Sequence, residues 1–101
     1  MGAIYEMRTY TFQPGTMPEV LRRWQEAIEY REKHSPLAAC WHTEVGGLNR
    51  FIHVWPYRDF AHRERVRRES RQDGHWPPPT REFVVRQENK LLIPATFSPL
   101  R

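Results

Sequence analysis

The sequence contains a single cysteine, Cys40, among its 101 residues. One thiol excludes both an internal disulfide framework and a metal site built from several thiolates. Cys40 lies in the apolar run from Leu37 to Trp41. We therefore predict that this thiol is a small buried side chain rather than a nucleophile.

Long apolar runs are also missing. No stretch approaches the roughly 18 consecutive apolar residues that are typical of a transmembrane helix, and the mean hydropathy is −0.82. A strand pattern begins at Ala3 without a basic and apolar leader before it. These absences predict a cytoplasmic domain that has no membrane partner.

The motifs of several common chemistries are absent as well. The five histidines never recur at the helix or strand spacings that metal sites use. No glycine-rich loop opens a helix to hold phosphate, and no serine occupies a nucleophile elbow. We therefore predict no metal, no cofactor, no nucleotide binding and no nucleophilic hydrolysis.

Positive charge is in excess, with a net charge of +4 and an isoelectric point near 9.7. The densest arginine run, at 58–71, is interleaved with Asp59, Glu64 and Glu69, which is typical of the solvated face of a helix. We therefore predict no nucleic-acid partner. The excess charge does allow an anionic ligand.

Local patterns divide the chain into alternating strands and helices. Thr16, with Glu19 three residues later, predicts a capping box before a run of apolar residues at helical spacing. Gly46-Gly47 predicts a tight turn between two strands. Pro56 ends the second of these strands, and Asp59 caps the next helix. The predicted elements are a strand at 3–12, a helix at 17–31, strands at 37–45 and 49–55, a helix at 60–70 and a strand at 81–93.

This β-α-β-β-α-β order over residues 1–101 predicts a single α+β domain with the ferredoxin-like fold. In that fold an antiparallel sheet carries both helices on one face, and the other face is bare. Because aromatic side chains would be exposed on the bare face, we predict a homodimer that packs sheet against sheet.

Strand parity groups the polar candidates. Side chains alternate along a strand, so Glu6, Arg8 and Tyr10 share one face of the first strand. His53 and Trp55 share a face of the third strand in the same way. We predict that all of these residues lie together on the face opposite the helices, where they would meet a partner sheet.

The alternate set is apolar, so we predict that Met7, Ile52 and Val54 pack against the helices. For the first arm of the hairpin, the sequence does not decide which side chains point toward the helices, and both alternatives stay open. Either its odd or its even residues point inward, that is, Trp41, Thr43 and Val45 or Cys40, His42 and Glu44.

The polar group has two interpretations. As a site, Arg8 would hold a carboxylate or enolate oxygen, with Tyr10 as an acid and Glu6 at a pKa raised by burial. His53 would be a general base beside the Trp55 ring. As scaffold, the same residues form an ion pair and a hydrogen-bonded ladder around a satisfied core histidine. Both interpretations stay open at this stage.

Three further residues are ligand-binding candidates, each with a structural alternative. Trp41 is otherwise a core or interface side chain, and Asn49 is otherwise a turn residue beyond the glycines. Trp76 is either an anchor or a lid over the pocket. It lies in the loop 72–79, whose three prolines favour a rigid extended geometry.

Several segments follow one another in a familiar order over essentially the whole chain. They are Ile4–Tyr10, Pro14-Gly15, Thr43–Asn49, His53–Trp55 with Tyr57, Glu88–Lys90 and Phe97–Leu100. Together they resemble the NIPSNAP domain family. The resemblance implies a dimeric α/β barrel, in which two ferredoxin-like sheets face each other around a shared lumen. The segment 75–80 departs from the family, because it is proline-rich where a helical stretch is usual.

The resemblance also implies a function. It implies a homodimer that binds a small aromatic or anionic metabolite between helices and sheet. Because related barrels include small monooxygenases and isomerases, any reaction would be cofactor-independent oxygenation or proton transfer. The alternative is a non-catalytic ligand-sensing or protein-interaction module whose polar ladder is purely structural. Haem binding, which some related barrels show, is a third alternative.

Overall fold

Strands and helices follow one another in the order that the sequence predicts. The computed structural model describes residues 2–101. Its elements are β1 (Ile4–Phe12), α1 (Met17–Glu32), β2 (Ala39–His42), β3 (Arg50–Tyr57), α2 (Phe60–Gln72) and β4 (Val84–Leu92), with a 3₁₀ turn at Arg81–Phe83 before β4. Neither helix in this part of the chain is long and apolar enough to cross a membrane.

The strands form one antiparallel sheet in the order β2-β3-β1-β4. β1 is central and pairs with β3 on one side and β4 on the other. The register puts Glu6 opposite Trp55 and Arg8 opposite His53. The ferredoxin-like fold is therefore confirmed, and so is the grouping of these side chains on one face.

The two helices begin differently. Asp59 caps α2 as predicted, because its Oδ1 accepts a hydrogen bond of 2.7 Å from the backbone N–H of His62. Thr16 precedes α1, but its hydroxyl donates to the Gln13 carbonyl at 2.7 Å and caps no helix N–H. Glu19 accepts hydrogen bonds from arginine side chains of its own helix. The predicted capping box is therefore wrong.

The first arm of the hairpin is shorter and the turn is longer than predicted, because β2 spans only Ala39–His42. Gly46 and Gly47 have φ values of 76° and 50°, which glycine adopts without a clash at Cβ. Thr43 closes the turn by donating from its hydroxyl to the Gly47 carbonyl at 2.9 Å. Asn49 also has a positive φ, 66°, so it is a turn residue.

β3 runs through Pro56 to Tyr57, although the proline was expected to end this strand. β2 pairs with β3 only as far as Val54, which lies opposite Ala39. Pro56 therefore lies beyond the part of β3 that has a strand on both sides. A missing backbone N–H is best tolerated at such a position.

The helices cover the polar face of the sheet. Trp24 of α1 contacts His53, with ring centroids 4.6 Å apart, and the Arg63 guanidinium of α2 lies 2.9 Å from the Glu6 carboxylate. The prediction that the polar residues face away from the helices is therefore wrong. The physical reason is that the helices supply matching groups, since a guanidinium neutralises Glu6 and an indole covers His53.

The opposite surface of the sheet, which we call the bare face, is defined by Met7, Trp41, Ile52 and Val54. Three of these were expected to pack against the helices, but their register positions lie on the other side. Trp41 is opposite Ile52 and is 56% exposed. The odd residues of β2 therefore belong to the bare face, whereas Cys40 lies on the helix side.

Cys40 is an exposed residue, so its predicted burial is wrong. Its four-residue strand lies at the edge of the sheet, where little packs over it. Partial burial of the sulfur nevertheless raises the pKa of the Cys40 thiol to about 11. The thiol is therefore protonated at neutral pH, which fits an unreactive side chain.

The apolar core lies between the sheet and the helices. It consists of Ile4, Phe12, Val20, Trp24, Phe51, Trp55, Tyr57 and Val66. α2 contributes only Val66 to this cluster, and its other buried residue is Ser70. Polar contacts therefore share in holding α2 against the sheet.

We expect Phe12→Ala to destabilise the fold strongly. Phe12 is 1% exposed and contacts the Phe51 ring in the core. Removing the ring leaves a cavity, which lowers the free energy of unfolding by about 3–5 kcal/mol. Urea unfolding followed by circular dichroism measures the change.

Phe60→Ala is the matched control, because Phe60 is 59% exposed at the start of α2. Its free energy of unfolding should change by less than about 0.5 kcal/mol. Equal losses from the two substitutions would contradict the packing described for Phe12.

Candidate functional site

A cavity of about 450 Å³ opens between the polar face of the sheet and the two helices. Its size is within the range of pockets that hold small molecules. The wall includes polar side chains of β1 and β3, an indole and a guanidinium from α1, arginines from α2 and a further indole from the segment after α2.

Three side chains of β1, which we call the β1 ladder, follow one side of this wall. They are Glu6, Arg8 and Tyr10, at alternate positions of one strand. Arg8 Nη1 lies 3.2 Å from a carboxylate oxygen of Glu6, and Arg8 Nε and Nη2 donate to the Tyr10 hydroxyl at 3.1 and 2.9 Å. The Arg8 guanidinium is thereby fixed between a carboxylate and a phenol.

Glu6 is 1% exposed and also accepts hydrogen bonds from Arg63, at 2.9 and 3.3 Å. Burial opposes ionisation of Glu6, but the Arg63 hydrogen bond and the charges of Arg8, Arg63 and Arg67 outweigh it and lower the pKa of the carboxyl. Glu6 is therefore ionised at neutral pH. The expected raised pKa of Glu6 is wrong, because burial here brings a second guanidinium into contact.

His53 is 2% exposed and has one defined hydrogen bond. Its Nδ1 accepts from the Trp55 indole N–H at 2.7 Å. Burial and the positive charges of Arg8 and Arg31 lower the pKa of His53 to about 3, so the ring is neutral. In the described chain the Nε2 atom is buried without a hydrogen-bond partner.

Three indoles form the aromatic part of the wall. The Trp76 ring lies 5.1 Å from Trp24 and 6.0 Å from Trp55, between centroids, and both pairs meet edge to face. Trp76 also lines the cavity. It is therefore both an anchor for its segment and a cover over the pocket, so the two alternatives drawn from the sequence apply together.

The segment after α2 is fastened to α1 at two points. Arg23 donates to the Pro79 carbonyl at 2.5 Å. The His75 ring stacks on Tyr30, with centroids 3.9 Å apart and planes 7° from parallel. These contacts flank Trp76 and hold it over the cavity.

Four of the arginines that line the cavity form no ion pair with a carboxylate within residues 2–101, and Arg31 and Arg67 are the two with pKa values lowered by burial. Arg31 is 3% exposed, donates to the Tyr57 hydroxyl at 2.8 Å and lies 4.1 Å over the Trp55 ring. Burial lowers the pKa of Arg31. Arg67 of α2 is half-buried, and burial together with the like charge of Arg8 lowers its pKa. Both guanidinium groups remain charged at neutral pH.

The structure brings most of the predicted site residues together at this cavity. They are Glu6, Arg8, Tyr10, His53, Trp55 and Trp76. Trp41 lies on the bare face, and Asn49 lies beside a separate groove at the hairpin turn. The expectation that these two join the site is therefore corrected, and it failed because parity gave no face for that part of the hairpin.

The arginines of the helices were missed from the sequence. Arg63 and Arg67 are four residues apart and so share a side of α2, close to the buried Ser70. Arg31 continues the spacing of the buried residues Trp24 and Ala27 on α1. Helical spacing therefore places these arginines on the sides of the helices that face the sheet. The arginine run at 58–71 is instead predicted from the sequence to be the solvated face of a helix.

The NIPSNAP family profile matches residues 5–99. The chain belongs to the NIPSNAP family. Protein NipSnap homolog 1 of Danio rerio is 33% identical over an alignment of 101 positions, which covers 97% of this chain and 36% of that protein. The chain thus spans little more than a third of the length of this curated NIPSNAP relative. The family suggested by the sequence alone is therefore confirmed.

Solved structures share the fold. Protein Atu4242 of Agrobacterium tumefaciens has a TM-score of 0.92 at 32% identity, covering 97% of this chain and 99% of that one. A candidate antibiotic biosynthesis monooxygenase of Bordetella bronchiseptica has a TM-score of 0.73 at 14% identity, covering 94% and 99%. At the lower identity the likeness concerns the fold alone.

We expect Glu6→Gln to destabilise the domain at neutral pH by about 3 kcal/mol, because it leaves buried guanidinium groups without their counterion. The pKa of Glu6 is lowered in the folded state. Its contribution is therefore complete above the ordinary value of 4.5 and is lost as the pH falls through the folded-state pKa. Urea unfolding across this pH range measures the difference between wild type and variant.

Glu26→Gln is the matched control, because Glu26 makes an exposed ion pair of 2.7 Å with Arg22 on α1. Exposed pairs of this kind contribute less than about 1 kcal/mol. If the Glu6 and Glu26 variants lose equal stability at every pH, the role given to the buried pairs is incorrect.

Proposed function

We propose that this NIPSNAP domain binds a small anionic ligand with a planar apolar part in the cavity between sheet and helices. The observation that carries the proposal is an imbalance of charge at the wall. Several arginines line the cavity, and Glu6 is the one carboxylate among the described lining residues. The cavity volume of about 450 Å³ supports a ligand of metabolite size.

Arg67 is one of the arginines that carry this imbalance. Glu6 is engaged by Arg8 and Arg63, and the buried Arg31 is satisfied by neutral groups. Arg67 has no ion pair in the described chain, and burial together with the like charges of Arg8, Arg63 and Arg71 lowers its pKa against the opposing charge of Glu6. A carboxylate or phosphate on the ligand would meet this guanidinium with the fork geometry that arginine favours.

The planar part of the ligand is suggested by the indoles of Trp24, Trp55 and Trp76. Edge-to-face rings form a rigid wall, which favours flat apolar groups. Because contacts with α1 hold the Trp76 segment in place, the wall is formed before the ligand arrives. Binding therefore loses little conformational entropy.

We propose binding without assigning a reaction. The oxygenation or proton transfer implied by the resemblance needs a base that is free to accept a proton. Glu6 has a lowered pKa and two guanidinium partners, and the Nδ1 of His53 is occupied by Trp55. The wall is better suited to hold an oxyanion than to remove a proton.

A cytoplasmic location stays a prediction.

We also propose that two copies pair through the bare face. On the side without helices, Met7 and Ile52 are half-buried, Val54 is 9% exposed and Trp41 is 56% exposed. An apolar sheet face of this kind favours a second, identical face as its cover. The cavity lies on the other side of the sheet, so the pairing leaves it accessible.

We expect Arg67→Gln to weaken the binding of benzoate, used as an anionic planar probe, by about tenfold, because one charged hydrogen bond is lost. Folding stability should hold or rise, since Arg67 is destabilised by burial and like charge. Titration followed by two-dimensional ¹H–¹⁵N NMR measures affinity and location. Arg68→Gln, one position along on the exposed side of α2, should bind as wild type does.

Uncharged benzamide provides the second control, and we expect much weaker binding than for benzoate. Failure of benzoate to perturb residues of the cavity would overturn the proposed function. Equal effects of the Arg67 and Arg68 substitutions would show that charge at the cavity is not what attracts the anion.

We expect Trp41→Lys to convert a dimer into monomers, because it introduces a charge into the bare face. Sedimentation velocity of the wild-type domain and the variant measures the change. Phe60→Lys introduces the same charge at an exposed position of α2 and should remain dimeric. A monomeric wild-type domain at micromolar concentration would contradict the pairing.

A further inference from the structure

We infer that His53 recognises a carbonyl-type oxygen of the ligand, so that the ligand class is a planar oxo acid rather than any aromatic anion. The inference rests on the proposed function and adds a second point of recognition to it. It depends on a buried N–H group in the cavity wall that finds no partner in the described chain.

The tautomer of His53 is fixed by its neighbour. The indole nitrogen of Trp55 is a donor only, so at 2.7 Å the His53 Nδ1 must be the acceptor. A neutral imidazole with a free lone pair on Nδ1 carries its proton on Nε2. His53 is therefore a hydrogen-bond donor at Nε2.

The charges around His53 favour the same neutral state. Arg8 lies opposite His53 in the register, and Arg31 lies over the neighbouring Trp55 ring. Trp24 and Tyr10 pack against the imidazole ring from α1 and β1. Two cations and aromatic surroundings oppose a second proton on the ring.

A buried donor without an acceptor destabilises the unliganded protein, because it has lost its hydrogen bond to water. A ligand oxygen that accepts from Nε2 restores that bond. His53 also lines the cavity that we assign to the ligand. The orphaned N–H is therefore part of the recognition surface rather than of the core alone.

An oxygen that only accepts fits the charged groups around His53. A ligand hydroxyl would bring its own proton and need an acceptor nearby. Arg8 and Arg31 are donors only, and the carboxylate of Glu6 is already engaged by Arg8 and Arg63. A ketone or enolate oxygen needs no such acceptor. A ligand whose carboxylate binds Arg67 and whose ketone or enolate oxygen binds His53 is an oxo acid.

The test compares 2-oxo-2-phenylacetate with phenylacetate, which have the same ring and carboxylate and differ in the oxo group. We expect the wild-type domain to bind the oxo acid about fivefold more tightly in NMR titrations, the effect of one neutral hydrogen bond. His53→Phe should abolish this preference, so that the variant binds the two acids with equal affinity. His53→Gln, which keeps an N–H donor, should retain part of it.

A second measurement does not depend on any ligand. Long-range ¹H–¹⁵N spectra of the wild-type domain should show His53 with its proton on Nε2 and an unchanged spectrum from pH 5 to pH 8. Trp55→Phe removes the indole donor and should give a mixture of tautomers. This measurement also holds if the His53 variants fail to fold.

Equal affinity for the two acids, or a proton on Nδ1 in the wild-type domain, would overturn the inference while leaving the proposed function intact. Absence of binding by both acids and by benzoate would overturn the proposed function, and the inference with it.

Discussion

The ion pairs of one buried carboxylate set the arrangement of sheet, helices and cavity. Glu6 accepts from Arg8 of its own strand and from Arg63 of α2. A carboxylate this deeply buried is tolerated only where charges and hydrogen bonds compensate its lost hydration. α2 buries little besides Val66 and Ser70, so apolar packing alone gives it few constraints. The pairing with Glu6 therefore decides which side of α2 meets the sheet.

The same arrangement leaves the cavity positive. Glu6 compensates two guanidinium groups, and Arg31 and Arg67 receive no carboxylate in the described chain. Arg31 is accommodated by hydroxyl groups and by the face of Trp55. Charges in such surroundings act more strongly on a ligand than charges in water do. A structural ladder and a candidate ligand site are thus not competing descriptions, because the positive charge at the cavity comes from arginines that the ladder does not pair.

Periodicity and parity were sufficient for the order of the elements, the sheet topology and the grouping of Glu6, Arg8 and His53. They were not sufficient to decide which face the helices cover. Parity separates two faces of a strand, but the choice between them depends on contacts such as that of Arg63 with Glu6, 57 residues away. The apolar side chains of one face predicted that the helices pack on that face. The ion pair between Arg63 of α2 and Glu6 of β1 instead places α2 on the polar face.

The reversal also changes what chemistry the wall supports. On a bare sheet, His53 would be open to a ligand as a general base and Tyr10 as an acid, beside a Glu6 carboxyl of raised pKa. Beneath the helices, guanidinium groups hold Glu6 and lower its pKa, and Trp55 occupies the basic nitrogen of His53. Arg67 and His53 both line the cavity, and in the described chain Arg67 has no ion pair and His53 Nε2 has no hydrogen-bond partner. Donors without a free base stabilise negative oxygen atoms, so any reaction at this wall would require the ligand or a further group to take up the proton.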